Sequence, residues 1–452
     1  MALTRIFDIS RRSLATYQNA LNVSANNIAN AANSEYSRQR VQISSETPER
    51  SANFLWGTGV KIDSIERVRD NLIDKQIINN QTTYYGNKRE SVVLSQVEQI
   101  FSEPSDLGIS SLMDQFFNSW NELAVSPNSI PLRNSVVNAA ENLAAKVSGI
   151  NEDLDTIQYD LFNEFQDSVN SLNYYLKEIN QLNQQINQFG NGTSSSSDLL
   201  DKRDTMISEL SKLANISVSY DNNNNAAISI GGVFAVDASI YNEFEVQNVN
   251  NELRLSPKGS GSSVNLKGGE LYAITQSYSK KIPEYQNYID TLFTQLVQSV
   301  NGIHSSGYSM ESTPATGIDF FKEYKDGKLV INGEILADPK KIAVSADGNL
   351  GNSELAITLA ELSSEKVINN STFGEFYSSL ISKVGNDKLS ADRMSDAGQM
   401  VVEQLENQRA SVSGVSVDEE MTEIIKFQRA YDASAKLIKI ADEMLDTVMN
   451  LV

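Results

Sequence analysis

The sequence predicts a mainly α protein with a smaller β domain. Paired N- and C-terminal coiled-coil helices, a helical second domain and a nested outer β domain make up the expected architecture. Three observations lead to it. Residues at both ends of the chain recur at seven-residue spacing. Helical periodicity fills most of residues 70–215 and resumes after residue 268. Strand-like alternation is concentrated within residues 216–267. The expected division is therefore 1–45 with 413–452 as a terminal helical domain and 216–267 as a small β domain. Between them, 46–215 with 268–412 forms a discontinuous helical domain that includes short strands near 318–347.

At the N-terminus, Phe7, Leu14, Leu21 and Ile28 form one row, and Leu3, Ser10, Tyr17, Ser24 and Ala31 form its companion. From about Asp70 to Phe101 the pattern is again helical, with Leu72, Ile73, Ile77, Val93, Leu94, Val97 and Ile100 as apolar positions. Glu103-Pro104-Ser105-Asp106 breaks it, and a second helix carries Leu112, Met113, Phe116, Phe117 and Trp120. After the stop at Ser126-Pro127-Asn128, a long helical stretch covers 130–189. Ser194–Ser197 reads as a flexible loop, and Asp198 starts a helix reaching Ala214. Ile216–Tyr220 and Ala227–Val236 alternate as strands about the Asp221–Asn225 turn, and Phe244–Val246 and Leu253–Leu255 continue the pattern. Gly268-Gly269 opens another long helix, through Ile282, Tyr285, Leu292, Leu296 and Val300. Helices resume near Ser353.

The last element repeats the first. Val417, Ile424, Tyr431, Ile438, Leu445 and Val452 are spaced by seven, and Phe427, Ser434, Ala441 and Val448 fill the companion row. Ser416 with Glu419 fits a capping box, and Asp418, Glu419, Glu420 and Glu423 crowd the first turns, where the helix dipole favours negative charge. Residues 1–45 carry five Arg against two acids, and 416–452 carry eight acids against four bases. The ends are thus expected to attract, with Leu14, Leu21 and Ile28 packing on Ile424, Tyr431, Ile438 and Leu445 of the same or neighbouring subunits. A chain whose two ends are matching seams is organised to pair its termini, as a subunit of a helical polymer is. Periodicity alone equally describes an ordinary intramolecular coiled coil.

The net charge of −21 argues against nucleic acid, whose phosphates it would repel. There is no cysteine, which removes disulfides, thiolate metal sites and Cys nucleophiles. No run approaches the roughly 18–20 apolar residues that cross a membrane. Asp8, Arg11, Arg12 and Asn19 interrupt any secretory h-region, so the expectation is a retained N-terminus. His304 is the only histidine and stands at a helix end, where an imidazole commonly caps carbonyls. Asp198, Asp201 and Asp204, like Asp418–Glu420, lack EF-hand spacing and read as helix N-terminus charge rather than a Ca²⁺ site. Phe116, Phe117 and Trp120 read as core. No catalytic constellation, cofactor site or metal site is singled out.

The segment Ser413-Gly-Val-Ser-Val-Asp-Glu-Glu-Met421, continued by Ile424-Ile-Lys-Phe-Gln-Arg-Ala-Tyr-Asp-Ala-Ser-Ala435, resembles the C-terminal signature of bacterial flagellar axial proteins. Asn27-Ile28-Ala29-Asn30 and Tyr36-Ser37-Arg38-Gln39 resemble their N-terminal motifs. Phe101–Asp106, Phe116–Trp120, Asp198-Leu-Leu-Asp-Lys-Arg-Asp204 and Val300-Asn-Gly-Ile-His304 resemble the hook-associated branch of that family. Where the family has Thr-Pro-Gly-Tyr this chain has Asn33-Ser34-Glu35-Tyr36, which leaves the end of the first helix unspecified. The resemblance implies a non-enzymatic structural subunit that polymerises at the distal end of the hook and joins hook to filament. The runner-up is a hook or distal-rod subunit; more remote is a secreted enzyme or adhesin with coiled-coil ends. Implied partners are other copies, the hook protein, a second junction protein (hook-associated protein 3) and an export chaperone at the C-terminal helix. Extracellular location after flagellar type III export, without a cleaved signal, is implied too. The residues expected to carry assembly are Phe7, Leu14, Tyr17, Leu21, Ile28, Val417, Ile424, Phe427, Tyr431, Ile438, Leu445 and Val448.

Overall fold

The computed structural model describes residues 2–51, 54–189, 194–311 and 315–449. Val452, the side chain of Leu3 and the Gly190–Gly192 end of the long helical stretch lie outside the described residues.

The chain begins with α1 (Ala2–Ala29) and then forms a β ribbon. Strand β1 (Gln39–Ser45) pairs antiparallel with β4 (Val60–Arg67), and the short β2 (Glu49–Ser51) pairs with β3 (Phe54–Trp56) between them. Residues 46–67 fall in the stretch assigned to the helical domain, yet Val60, Ile62 and Ile65 face Ser45, Ile43 and Val41 as cross-strand partners. The helical region proper starts at α2 (Asn71–Phe101), whose first turn is capped by Asp70 through Leu72 N–H at 2.8 Å. α3 (Ile109–Val125) and the 60-residue α4 (Ile130–Phe189) follow.

α4 is the spine. Its buried positions, Ala140, Leu143, Val147, Ile150, Leu154, Ile157, Leu161 and onward through Leu172, Leu176 and Ile179, alternate by three and four. That spacing keeps one face toward the core along its length. α5 (Ser194–Leu213) packs against it. Ser194–Ser197, expected as a loop, belongs to this helix, with Ser196 and Ser197 buried. Low-complexity serine lacks its own periodicity, so packing decides its state.

Strands β5 (Ile216–Tyr220), β6 (Ala226–Ile230) and β7 (Val233–Val236) form an antiparallel meander. Gly231 and Gly232 between β6 and β7 adopt φ of 55° and 87°. A side chain at Gly231 would also meet the Asn265 carbonyl at 2.6 Å. β8 (Phe244–Val249) and β9 (Glu252–Pro257) make a hairpin across left-handed Asn250 and Asn251. The chain returns through α6 (Glu270–Gln276), one π turn at Ser277–Lys281, and α7 (Ile282–His304). Gly269, just before α6, has φ 84° and lies so close to α5 that a Cβ would sit 2.5 Å from the Leu213 carbonyl. β10 (Phe321–Lys325), β11 (Lys328–Ile331), α8 (Gly333–Ala337), α9 (Glu354–Glu361), α10 (Phe373–Ser413) and α11 (Val417–Met449) complete the order. α10 lies along α2, and α11 returns to α1.

Phe116, Trp120, Phe320 and Phe321 cluster around His304 in the core, with the imidazole 6.2 Å from the Trp120 ring and 5.5 Å from Phe320. The helix-capping role expected for His304 is corrected. Its Nδ1 donates to the Ile318 carbonyl at 2.7 Å and its Nε2 accepts the Ala343 N–H at 2.9 Å, so it ties two loops to α7 in the neutral form. Burial pushes its pKa down to about 4, against the opposing hydrogen bond to Ile318. Between the ordinary value of about 6.5 and about 4 the unfolded chain takes up a proton that the folded chain does not. Stability is therefore expected to fall by about 3 kcal/mol on acidification across that window. Thermal unfolding at pH 7 and pH 4 should show this slope, and His304→Gln should flatten it.

Candidate assembly surface

The two seam helices pair within one chain and run antiparallel. Asn27 of α1 meets Glu420 near the start of α11, and Tyr17 stacks on Phe427, two turns further along α11, with ring centroids 6.4 Å apart. The second side of α1 carries the ribbon, where Thr16 Oγ1 donates to the Val60 carbonyl at 3.2 Å.

The seven-residue spacing is present, but the row at the closest approach differs from the one expected. On α11 the deeply buried row is Glu420, Phe427, Ser434 and Ala441. On α1 the deeply buried residues fall on two sides: Ser10 and Ser24 lie beside Tyr17, which stacks on Phe427, while Ser13, Thr16, Ala20 and Val23 lie toward the ribbon, and Asn27 touches both. Small side chains at Ser10, Ser24, Ser434 and Ala441 let the helix axes approach closely, and the Tyr17–Phe427 stack shares the same line of contact. Phe7, Leu14, Tyr17, Leu21 and Ile28 are half-buried, as are Ile424, Tyr431 and Ile438. Val417, Leu445 and Val448 lie 47, 37 and 50 % exposed. Met421, Ile425, Leu437, Ile440, Met444 and Met449 add further exposed apolar side chains to α11. One chain alone thus leaves a large apolar surface open on this helix.

A polar lock fixes the base of the pair. The Asn27 amide donates to the Gln39 carbonyl at 2.8 Å and to Glu420 Oε2 at 3.0 Å. Its oxygen accepts the Tyr36 hydroxyl at 2.7 Å and the Gln39 N–H at 3.0 Å. Arg38 holds Glu420 at 2.6 Å and Glu419 at 2.5 Å, and its N–H reaches the Ser413 carbonyl at 2.9 Å. Glu419 therefore serves Arg38 rather than closing a capping box; only its N–H reaches Ser416 Oγ, at 3.4 Å. Attraction between the ends is concentrated at Arg38, because among the described residues no ion pair links α1 itself to α11. In the Asn33-Ser34-Glu35-Tyr36 segment, where Ser34 and Glu35 replace Pro and Gly, Asn33 makes the turn after α1 through its side chain, which accepts the Glu35 N–H at 3.1 Å. Burial and the carboxylates of Asp198, Asp201 and Glu420 push the Tyr36 phenol up, so it remains a donor.

The lock continues into α5. Asp201 accepts the Ser37 N–H and hydroxyl at 3.0 and 2.7 Å and Arg67 at 2.7 Å. Asp204 accepts Arg67 at 2.8 Å and also Arg69, which reaches Asp74 at 2.9 Å. Asp198 accepts the Gln39 amide at 3.1 Å. The reading of these acids as helix N-terminus charge is thereby corrected: Asp201 and Asp204, three residues apart on one face of α5, bind the base of the ribbon. Burial alone would raise the Asp204 pKa, but Arg69, Arg67 and Arg203 outweigh it and hold the carboxyl below its usual range. Among the described residues no group of three or more acids, His or Cys could hold a metal ion, and no helix is long and apolar enough to cross a membrane.

Comparisons with known proteins bear on this arrangement. A family model described as the flagellar hook-associated protein FlgK helical domain matches residues 94–321. A second, described as the flagellar basal body rod FlgEFG protein C-terminal, matches 406–451. The chain is 30% identical, over 98% of its length and 97% of the relative's, to flagellar hook-associated protein 1 of Bacillus subtilis (strain 168). It is 22% identical to flagellar hook-associated protein 1 of Escherichia coli (strain K12), over 99% of this chain and all of that one. A solved structure, that of the flagellar hook junction protein FlgK from Burkholderia pseudomallei, covers 75% of this chain and all of its own, with a TM-score of 0.65. At 16% identity that likeness shows the fold.

Proposed function

The chain belongs to the flagellar hook-associated protein 1 family, and from that premise we propose how it acts at the hook–filament junction. It is a structural subunit of the bacterial flagellum. Our reading is that copies polymerise at the distal end of the hook through the terminal helix pair and so join hook to filament. The observation that carries this is the apolar surface of α11, from Val417 to Met449, that pairing with α1 in one chain leaves open. The assembly residues assigned are Phe7, Leu14, Tyr17, Leu21 and Ile28 on α1. On α11 they are Val417, Ile424, Phe427, Tyr431, Ile438, Leu445 and Val448.

The remaining assignments follow from family membership. The hook protein and the second junction protein, hook-associated protein 3, are the neighbours below and above. An export chaperone would cover the open face of α11 before assembly, since such a surface invites association. Export would use the flagellar type III apparatus, and no enzymatic step is assigned. The rod-type match is confined to 406–451, whereas hook-associated protein 1 relatives are matched end to end, which favours the junction over a rod or hook position.

Hydrogen exchange on the free chain and on chain assembled on isolated hooks tests this. Amides of 437–449 should exchange fast in the free chain and become protected on hooks, while 417–427, held by the Asn27–Glu420 lock, should be slow in both. Equal protection of 437–449 in the two states would overturn the reading.

A further inference from the structure

The terminal unit, made of α1, the ribbon and α11, meets the helical domain at a narrow waist. Among the described elements in substantial contact, only β4 with α5 links this unit to the rest. The main apolar core runs from Val93 to Ala391. Among the described residues it takes in none from α1, the ribbon or α11, either as buried members or as half-buried side chains packed on it. The terminal unit buries apolar side chains of its own, Ala20 and Val23 on α1 and Phe427 and Ala441 on α11. The chain crosses the waist at two short links, residues 68–70 between β4 and α2 and residues 414–416 between α10 and α11. Both links pass beside Arg38, whose carbonyl accepts the Val68 N–H at 2.8 Å and whose N–H donates to the Ser413 carbonyl at 2.9 Å.

Charge spans the waist where the main core does not. Arg67 of β4 meets Asp201 at 2.7 Å and Asp204 at 2.8 Å. Arg69, in the first link, meets Asp204 and reaches Asp74 at 2.9 Å. Ser37 and Gln39 add hydrogen bonds to Asp201 and Asp198. The closure is incomplete. Arg69 Nε and Asp204 Oδ1 are buried with no hydrogen-bond partner among the described residues, although Arg203 Nη2 lies 3.6 Å from that oxygen. Two bodies with separate cores and a polar contact between them move relative to one another unless something fixes them. Drawing the arginines away from the aspartates returns all the charged groups to water together, which offsets the lost attraction; deleting a single partner gives no such return.

We propose that Asp201 and Asp204 of α5, with Arg67 and Arg69, form a latch across a joint. Closed, the latch fixes the terminal unit at one angle to the helical domain. Open, α1, the ribbon and α11 swing as a single body about Arg38, and neither body unfolds. Each link is three residues long, so the swing changes angle far more than separation. The inference concerns the free chain and goes beyond the assembly reading: the chain offers its terminal helix pair at more than one angle, and the ionic cluster selects among them.

Distances between paired spin labels, measured by double electron–electron resonance, test this, because the chain has no cysteine to remove. Ile425→Cys on α11 with Met400→Cys on α10 spans the waist, and Ile425→Cys with Ala15→Cys lies within the terminal unit; all three positions are exposed. In the otherwise unchanged chain both pairs should give narrow distributions. Asp201→Asn together with Asp204→Asn removes the charges at nearly constant size. This change should widen the distribution across the waist at least about twofold and leave the pair within the unit as it was. An unchanged distribution across the waist would overturn the proposal, since something other than the latch would then fix the angle. Widening of both pairs would overturn it too, by showing that the cluster maintains the fold of the unit itself. So would a wide distribution across the waist before any charge is removed. All of these readings are taken on the free chain without hooks, so their failure leaves the assembly reading standing.

Discussion

Replacing Asp204 with Ala is expected to cost about 3–5 kcal/mol, because it strips a partly buried carboxylate from two arginines that have little water to fall back on. Arg67 would keep Asp201 and Arg69 would keep Asp74, but each loses its shared partner on α5. Burial works against the charge of Arg69, and Asp204 and Asp74 are what hold its pKa above the ordinary value. The loss should appear as a lower unfolding midpoint and as faster proteolysis around residues 37–69, where the ribbon leaves α5. Asp198→Asn, at an exposed position, should change stability by no more than about 1 kcal/mol. The pH dependence separates this site from His304. The Asp204 contribution is complete above about pH 4 and fades only as pH falls through its depressed folded value. The His304 loss is already well advanced at pH 5.

Leu445→Asp is expected to abolish junction assembly while leaving the single chain folded. Leu445 is more than a third exposed in the isolated chain, so a carboxylate there stays in water until a neighbour covers it. Removing an apolar side chain that assembly would bury costs about 1.5–3 kcal/mol, and desolvating the new charge adds several more at every copy in the assembly. Ile438→Asp should have the same end result by a second route, because Ile438 is half-buried and its change also loosens α11 against α1. Near-ultraviolet circular dichroism should report an intact aromatic core around Trp120 in both variants. Swimming in soft agar should be lost in both. A Leu445→Asp strain that swims normally would show that this part of α11 faces solvent in the assembled flagellum.

The helical frame was legible because its signal is repetitive: α2, α4, α7 and the strands at 216–220 and 226–236 announce themselves by period. The heptads at the two ends were equally plain. Which row of a heptad faces inward was not, since spacing gives every row equally and only the sizes on both helices choose between them. Here Ser10 and Ser24 on α1 and Ser434 and Ala441 on α11 are the small residues in line with the Tyr17–Phe427 stack. The small residues in both seams were visible in the sequence and favoured close approach, which was the available clue. The ribbon at 39–67 had a weaker one, the alternation Val60-Lys61-Ile62 bounded by Gly57 and Gly59. Asp201 and Asp204 illustrate the opposite limit. Acids at a helix start suit the dipole whether or not an arginine faces them, so local chemistry masks the long-range partner.

The pairing of Asn27 with Glu420 spans 393 residues of sequence. Synthesis runs from α1 toward α11, so α1 waits for its partner through nearly the entire making of the chain. Loop-closure entropy rises only slowly with that distance, but no contact can form before residue 420 exists. A chain cut short anywhere upstream, by a nonsense codon or a stalled ribosome, carries an α1 with nothing to lock against. The terminal pair therefore acts as a length check: only a molecule read through to its final helix can complete the fold that assembly would use.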